Sequence, residues 1–280
     1  MRTIIGVVAF LLAGELGVRA SLLDVLFPVP ELQVITVTDV GRGSLPLRIP
    51  TTADPVYYVP VCVGYHDFGA PIAGDRLPKK EDMIRVITKV LAKQGYLPAD
   101  AIHPPTQIIL FAWGTLYPET LEIPPFPRGQ FNFSQELVFL GGAKLGIREA
   151  ERPTPFPEIE GLTFSTPQQD AIRDAARDMF YVAKISGYEL KAAAAGKSRL
   201  LWSTRISGFA RRRIMADSLP AIVVIGGPNI GRDTPRPVWT RASEHFKPEV
   251  KLGEPKLEEF LDSGRLPVVD LSAGAAKSGK

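Results

Sequence analysis

The sequence predicts one α/β domain, a two-layer sandwich in which a mixed β-sheet carries helices on one face. Three observations carry this. Residues 80–94 repeat apolar side chains at helical spacing: Met83, Val86, Ile87, Val90 and Leu91 share one side, with Lys89 and Lys93 opposite. Apolar, strand-like runs flank that helix at 56–65 and 106–113. Strand, helix, strand is a crossover unit and predicts the two strands parallel. Residues 180–190 and 199–207 read as two further strands joined by a short link, an antiparallel hairpin.

In chain order, Met1-Arg2 precedes an apolar run that Glu15 closes, and Val18-Arg19-Ala20 follows. A positive start, a short apolar core and small residues at the −3 and −1 positions read as a secretory signal peptide cut after Ala20. The run is about twelve residues, too short to span a bilayer roughly 30 Å thick. Residues 21–54 read as an extended lead-in holding at most one edge strand. Residues 55–246 form the sandwich domain, and 247–280 a tail that ends in disorder. No transmembrane span is expected in the mature chain.

Within the domain, 56–65 is the first firm strand, and Pro60 predicts that it lies at an edge or bulges. Glu81 and Asp82 sit in the first turn of the 80–94 helix, where they complement its dipole, and Gly95 supplies a left-handed stop. Residues 133–145 predict a helix capped by Ser134, and a proline-rich loop follows to 165. Thr166-Pro167-Gln168-Gln169 has the residues of a capping box with proline at the first helical position. That helix should run to about 179. The hairpin link contains Ala192–Ala195, which favour a continuous helix; Gly187, Tyr188 and Gly196 oppose it. Residues 217–230 fit helix or strand. Pro220 after Asp217-Ser218 favours helix, and Ile222-Val223-Val224-Ile225 favours strand; helix is the reading adopted.

Composition restricts function. Loss of the leader reduces the 33 basic and 30 acidic residues to 31 and 29, a net charge of +2. So small an excess gives no field that holds a polyanion, which excludes generic nucleic-acid binding. The lone Cys62 cannot form an internal disulfide, and Val61 and Val63 beside it suggest an inert thiol in a buried strand. An exported chain of this size without disulfides fits a bacterial periplasm.

No motif commits the chain to a reaction, and no cofactor is implied. Gly196-Lys197-Ser198 resembles the end of a phosphate-binding loop, but Lys191 stands where that loop needs glycine and a strand should follow. The Gly-rich stretches 141–146 and 226–231 lack dinucleotide spacing. His66, His103 and His245 are not spaced as metal ligands. The weak catalytic candidates are His66 and Asp67, at a strand end, with Ser203 or Ser207 as the nucleophile a hydrolase would need. Neighbouring residues on a strand point to opposite faces, which weakens the pair. The binding candidates are Tyr65, Trp113, Tyr117 and Arg205. These aromatics fit either a ligand groove or core packing. Arg205 fits an ion pair, a stacked cation or a solvated strand face. Arg211-Arg212-Arg213 fits a solvated turn or a contact with an anionic envelope polymer or headgroup.

Two segments together resemble a known class. One is the helix ending Gln94-Gly95-Tyr96 followed by the strand from Thr106 to Trp113. The other is Tyr188-Glu189-Leu190, Gly196-Lys197 and Leu201-Trp202-Ser203-Thr204-Arg205. In order, they resemble exported bacterial proteins and lipoproteins of unknown function with a small α/β sandwich. The likeness spans roughly residues 80–240 and implies no catalytic residues. The lipoprotein members' N-terminal cysteine has no counterpart here. The resemblance implies an exported, non-enzymatic envelope-binding or structural protein; the alternative is a hydrolase seated near Tyr65 to Phe68.

Overall fold

The computed structural model describes residues 30–41, 48–66, 75–117, 133–147 and 165–246, with the backbone of 269–270. The leader, Asp67, Phe68 and most of the tail lie outside these residues. The strands are β1 (Gln33–Val40), β2 (Val56–Tyr65), β3 (Tyr96–Pro98), β4 (Gln107–Leu116), β5 (Phe180–Glu189), β6 (Leu200–Phe209), β7 (Val238–Arg241) and β8 (Val269–Asp270). The helices are α1 (Lys80–Lys93), α2 (Phe133–Phe139), α3 (Pro167–Ala175), α4 (Leu190–Ala194), α5 (Met215–Gly226) and α6 (Ala242–His245).

Seven strands form one mixed sheet in the order β3-β2-β4-β5-β6-β1-β7, and β8 adds to β2. As the crossover predicts, β2 and β4 are parallel. As the hairpin predicts, β5 and β6 are antiparallel, although α4 occupies part of their link. The lead-in strand is not at an edge: β1 pairs with both β6 and β7.

Pro60 is accommodated by the break in one neighbour. The Tyr58 carbonyl accepts from Ala99 N on the β3 side, so Pro60, two residues on, faces the same way. Pairing with β3 ends at Tyr58 and pairing with β8 begins at Val61, so the missing N–H removes no ladder bond there. A bulge follows between Cys62 and Gly64, where Gly64 takes a φ of 84°.

The helix ends follow the local chemistry. Gly95 adopts φ 85°, and a Cβ on it would lie 2.6 Å from the Thr51 carbonyl oxygen. Thr166 and Gln169 form the reciprocal capping box. The 133–145 segment is not one helix: α2 stops at Phe139, and Gly141 at φ 91° diverts the chain into a 3₁₀ turn, Gly142–Leu145. The ambiguous apolar segment is α5. It begins two residues before Asp217, so Pro220 falls inside the helix. Asp75 Oδ1 accepts from Met215 N at 2.8 Å and supplies the cap that α5's own sequence lacks.

The core departs from the predicted single helical face, because alternate side chains of the strands enter two clusters. Tyr58, Ile109, Phe111, Ile185 and Ile206 join α1 and α5 in one. Ile35, Val37, Leu116, Phe180 and Val182 join α2 and α3 in the other. A strand covered on both faces has no polar face, as Phe180 to Ala183, all buried, illustrate.

Helix α5 lies close to the sheet because glycines receive it. A Cβ on Gly208 would stand 2.4 Å from Ile222 Cδ1, and one on Gly226 2.4 Å from Ile206 Cγ2. Gly208→Val should lift α5 and cost about 1–3 kcal/mol in urea unfolding. An unchanged unfolding midpoint would show that the helix does not sit this close.

Candidate functional site: a polar square on the second sheet face

Among the described residues, the two-sided core does not extend over the whole second face. Towards the β5–β6 link, that face carries Val59, Ile108, Leu110 and Ala112, all half-buried, beside polar side chains on β5 and β6. Ala112 packs on the second cluster, while Val59, Ile108 and Leu110 belong to neither cluster among the described residues.

Strand register builds the site. Lys184 is directly opposite Arg205, and two residues along, Ser186 is opposite Ser203. The four side chains make a square on one face. Ala112 borders it at Lys184 and Leu110 borders it at Ser186. On the other side, Val37 is opposite Arg205 and Asp39 opposite Ser203.

Each corner has a distinct electrostatic situation. Arg205 Nη2 donates to Asp39 Oδ2 at 2.5 Å, and the guanidinium lies 5.8 Å from the Phe139 ring centre. Its Nε is buried without an acceptor. Burial lowers the Arg205 pKa and Asp39 opposes that shift; the group remains a cation. Lys184 is exposed and contacts no carboxylate among the described residues. Partial desolvation of its ammonium, then the charge of Arg205, hold its pKa below the usual lysine range. Ser186 Oγ and Ser203 Oγ are 2.8 Å apart and share one hydrogen bond.

Asp39 is not free to neutralise this face. Lys144 Nζ is 3.2 Å from Asp39 Oδ1 and donates to Asp233 Oδ1 at 2.8 Å. It also donates to the carbonyls of Thr38 and Thr234, at 2.7 and 2.6 Å. The two carboxylates therefore serve two cations, Lys144 and Arg205, and neither contacts Lys184. Lys144 is the saturated member, surrounded by oxygen, and acts as a structural tie between the 3₁₀ turn and β1. A cleft of about 520 Å³ lies beside it, lined by Leu145, Thr166, Gln168 and Arg236. The Thr166 side chain already satisfies one of the amides that open α3 there.

The sequence-selected residues fall in different places. Arg205 is in the square. Trp113 is 2 % exposed and packs in the first cluster, so of its two readings core packing holds and a place in a groove does not. Tyr65, its partner across β2 and β4, packs against the same cluster. Tyr117 is half-buried at the end of β4. His66 is exposed, and its backbone N–H donates to the Trp113 carbonyl at 2.7 Å. Asp67 lies outside the described residues. The structure does not bring His66 to Ser203 or Ser207: β4 and β5 separate β2 from β6, a span of roughly 14 Å. Ser207 is itself buried.

A different His–Asp pair exists. His103 Nδ1 is 3.0 Å from Asp100 Oδ1, and its ring stacks on Tyr57 with centres 4.4 Å apart. The hydrogen bonds from His103 hold the Asp100 pKa below the usual carboxylate value. The turn holds no serine or cysteine, so the pair closes the loop before β4. Gly196-Lys197-Ser198 leads into β6 rather than a helix, so it lacks the geometry of a phosphate loop.

Sequence reasoning missed Lys184, Ser186, Asp39 and Lys144. Lys184 left a signal: it is the one charge in the run Phe180 to Ile185. No cluster of three or more metal-ligating side chains occurs among the described residues, and no helix there is long and apolar enough to cross a membrane. Compared with known proteins, the chain matches no protein-family model and no curated protein sequence.

Proposed function

We propose that this is an exported, non-enzymatic protein of the bacterial cell envelope, which binds an anionic envelope component at the exposed Lys184 and its neighbours on the second sheet face. The observation that carries the reading is the position of Lys184. A cation directly opposite another cation destabilises a sheet unless an anion faces the pair. Among the described residues, the carboxylate beside the pair is Asp39, and it is already divided between Arg205 and Lys144. Val59, Ile108 and Leu110 beside the cations suit the apolar part of such a ligand. The leader-like first twenty residues support export, and so does the resemblance to exported bacterial proteins.

Two measurements test it. In the native host, mass spectrometry should find Ser21 as the first residue, and the mature protein should co-sediment with the envelope fraction. Lys184→Glu should reduce that co-sedimentation about tenfold, since it replaces an attraction by a repulsion across the same face. Its unfolding midpoint should stay close to that of the wild type. An intact Met1 in the cytoplasmic fraction contradicts export. Co-sedimentation unchanged by Lys184→Glu contradicts the face.

A further inference from the structure

We infer that Lys184, Arg205 and Ser203 bind a tetrahedral oxyanion, the phosphate or sulfate group of the envelope component, with the buried Ser186 holding Ser203 through their shared hydrogen bond. This inference rests on the reading above and names the group that is bound. A lysine ammonium offers three N–H groups and a guanidinium five, and neither accepts. Arg205 spends one donor on Asp39 while its Nε has no acceptor. Lys184 meets no carboxylate among the described residues. The two serine hydroxyls carry two protons, and their mutual bond uses one. The two cations therefore hold donors without acceptors, and the serine pair keeps one proton beyond its mutual bond.

Geometry then selects the anion. The corners are about 5 Å apart across the strands and roughly 7 Å apart along them. One compact anion covers that area. A planar carboxylate presents two oxygens in a fork and suits a single guanidinium, the role Asp39 already fills. The remaining donors approach from separate corners, and a group with three or four oxygens meets them together. The cations stand on two central strands, whose backbones neighbours hold on both sides, so the donors are positioned before the ligand arrives. Leu110 and Ala112 border the square and shield the anion from water on that side.

The test is titration of the mature protein at low ionic strength, followed by calorimetry and methyl-resolved NMR. The probes are inorganic phosphate, sulfate, glycerol phosphate, and neutral vesicles with and without phosphatidic acid. Saturable binding that moves the Ala112 methyl resonance is expected. Lys184→Met should weaken it about tenfold or more, as loss of a charge-assisted bond does, and Lys184→Arg should retain most of it. Ser203→Ala, a change that leaves both cations in place, should weaken it a fewfold. Tighter binding of glycerol phosphate or of the acidic vesicles than of free phosphate identifies an esterified group on a larger ligand. Binding of free phosphate alone identifies the free ion. Absence of saturable binding by every probe, or binding that Lys184→Met leaves unchanged, overturns the inference. If binding is absent yet Lys184→Glu still abolishes co-sedimentation with the envelope, the oxyanion assignment fails and the envelope reading stands. If the anions bind but the protein does not co-sediment, the reverse holds.

Discussion

Trp202→Ala is expected to cost about 3–5 kcal/mol of stability, a large share of the 5–15 kcal/mol typical of a folded domain. Trp202 is fully buried in the first cluster together with Met83, Ile87, Val90 and Leu91 of α1. Its indole lies over the strand residue opposite, Gly187, where a Cβ would come within 2.6 Å of the ring. Its centre is 5.2 Å from that of Tyr96. The ring thus fills space that a glycine was needed to open, and its removal leaves a cavity between two central strands and the helical layer. Urea unfolding of the purified variant checks this. A loss below about 1 kcal/mol would mean that the ring lies at the surface, where ligand stacking would explain it better than packing.

Replacement of Glu136 by leucine should stabilise the protein above neutral pH. Glu136 is on α2, fully buried, and neither carboxyl oxygen has a hydrogen-bond partner. Burial, reinforced by the nearby charge of Asp178, raises its pKa from 4.5 to about 9. The folded state therefore holds a proton that the unfolded state releases above about pH 4.5. The contribution of this group is fully present below that pH and declines as pH rises, by up to about 1.4 kcal/mol per unit, until the folded carboxyl also ionises near pH 9. The decline sums to several kcal/mol over the window. Glu136→Leu should flatten it and exceed the wild type by a few kcal/mol at pH 8. Chemical denaturation from pH 5 to 9 measures both. Parallel pH profiles for the two proteins would show that Glu136 reaches water or a partner.

Much of the framework was legible because local chemistry determines it. The 3.6-residue repeat of Met83, Ile87, Val90 and Leu91 places α1, Gly95 ends it, and Thr166 with Gln169 starts α3. The second helical face was not legible. Phe180 to Ala183 is uniformly apolar, so no period distinguishes one covered face from two. Strands β3 and β7, of three and four residues, are too short to carry a pattern. Glu136 reads in sequence as an ordinary first-turn acid, and only tertiary packing buries it. At the site, Arg205 and the anomaly at Lys184 are visible within their strands. Asp39 is paired with Arg205 across 166 residues of sequence, a relation set by the β1–β6 register alone.

The proposal that this face carries the protein's function is tested most directly by methyl-resolved NMR of the mature protein on addition of the envelope fraction of its native host. Val59, Leu110 and Ala112 should shift or broaden, while Ile222 and Val223, buried side chains of α5 on the opposite face, stay in place. Perturbation centred instead on the exposed Trp239 of the β7 edge, or no perturbation at all, would contradict it.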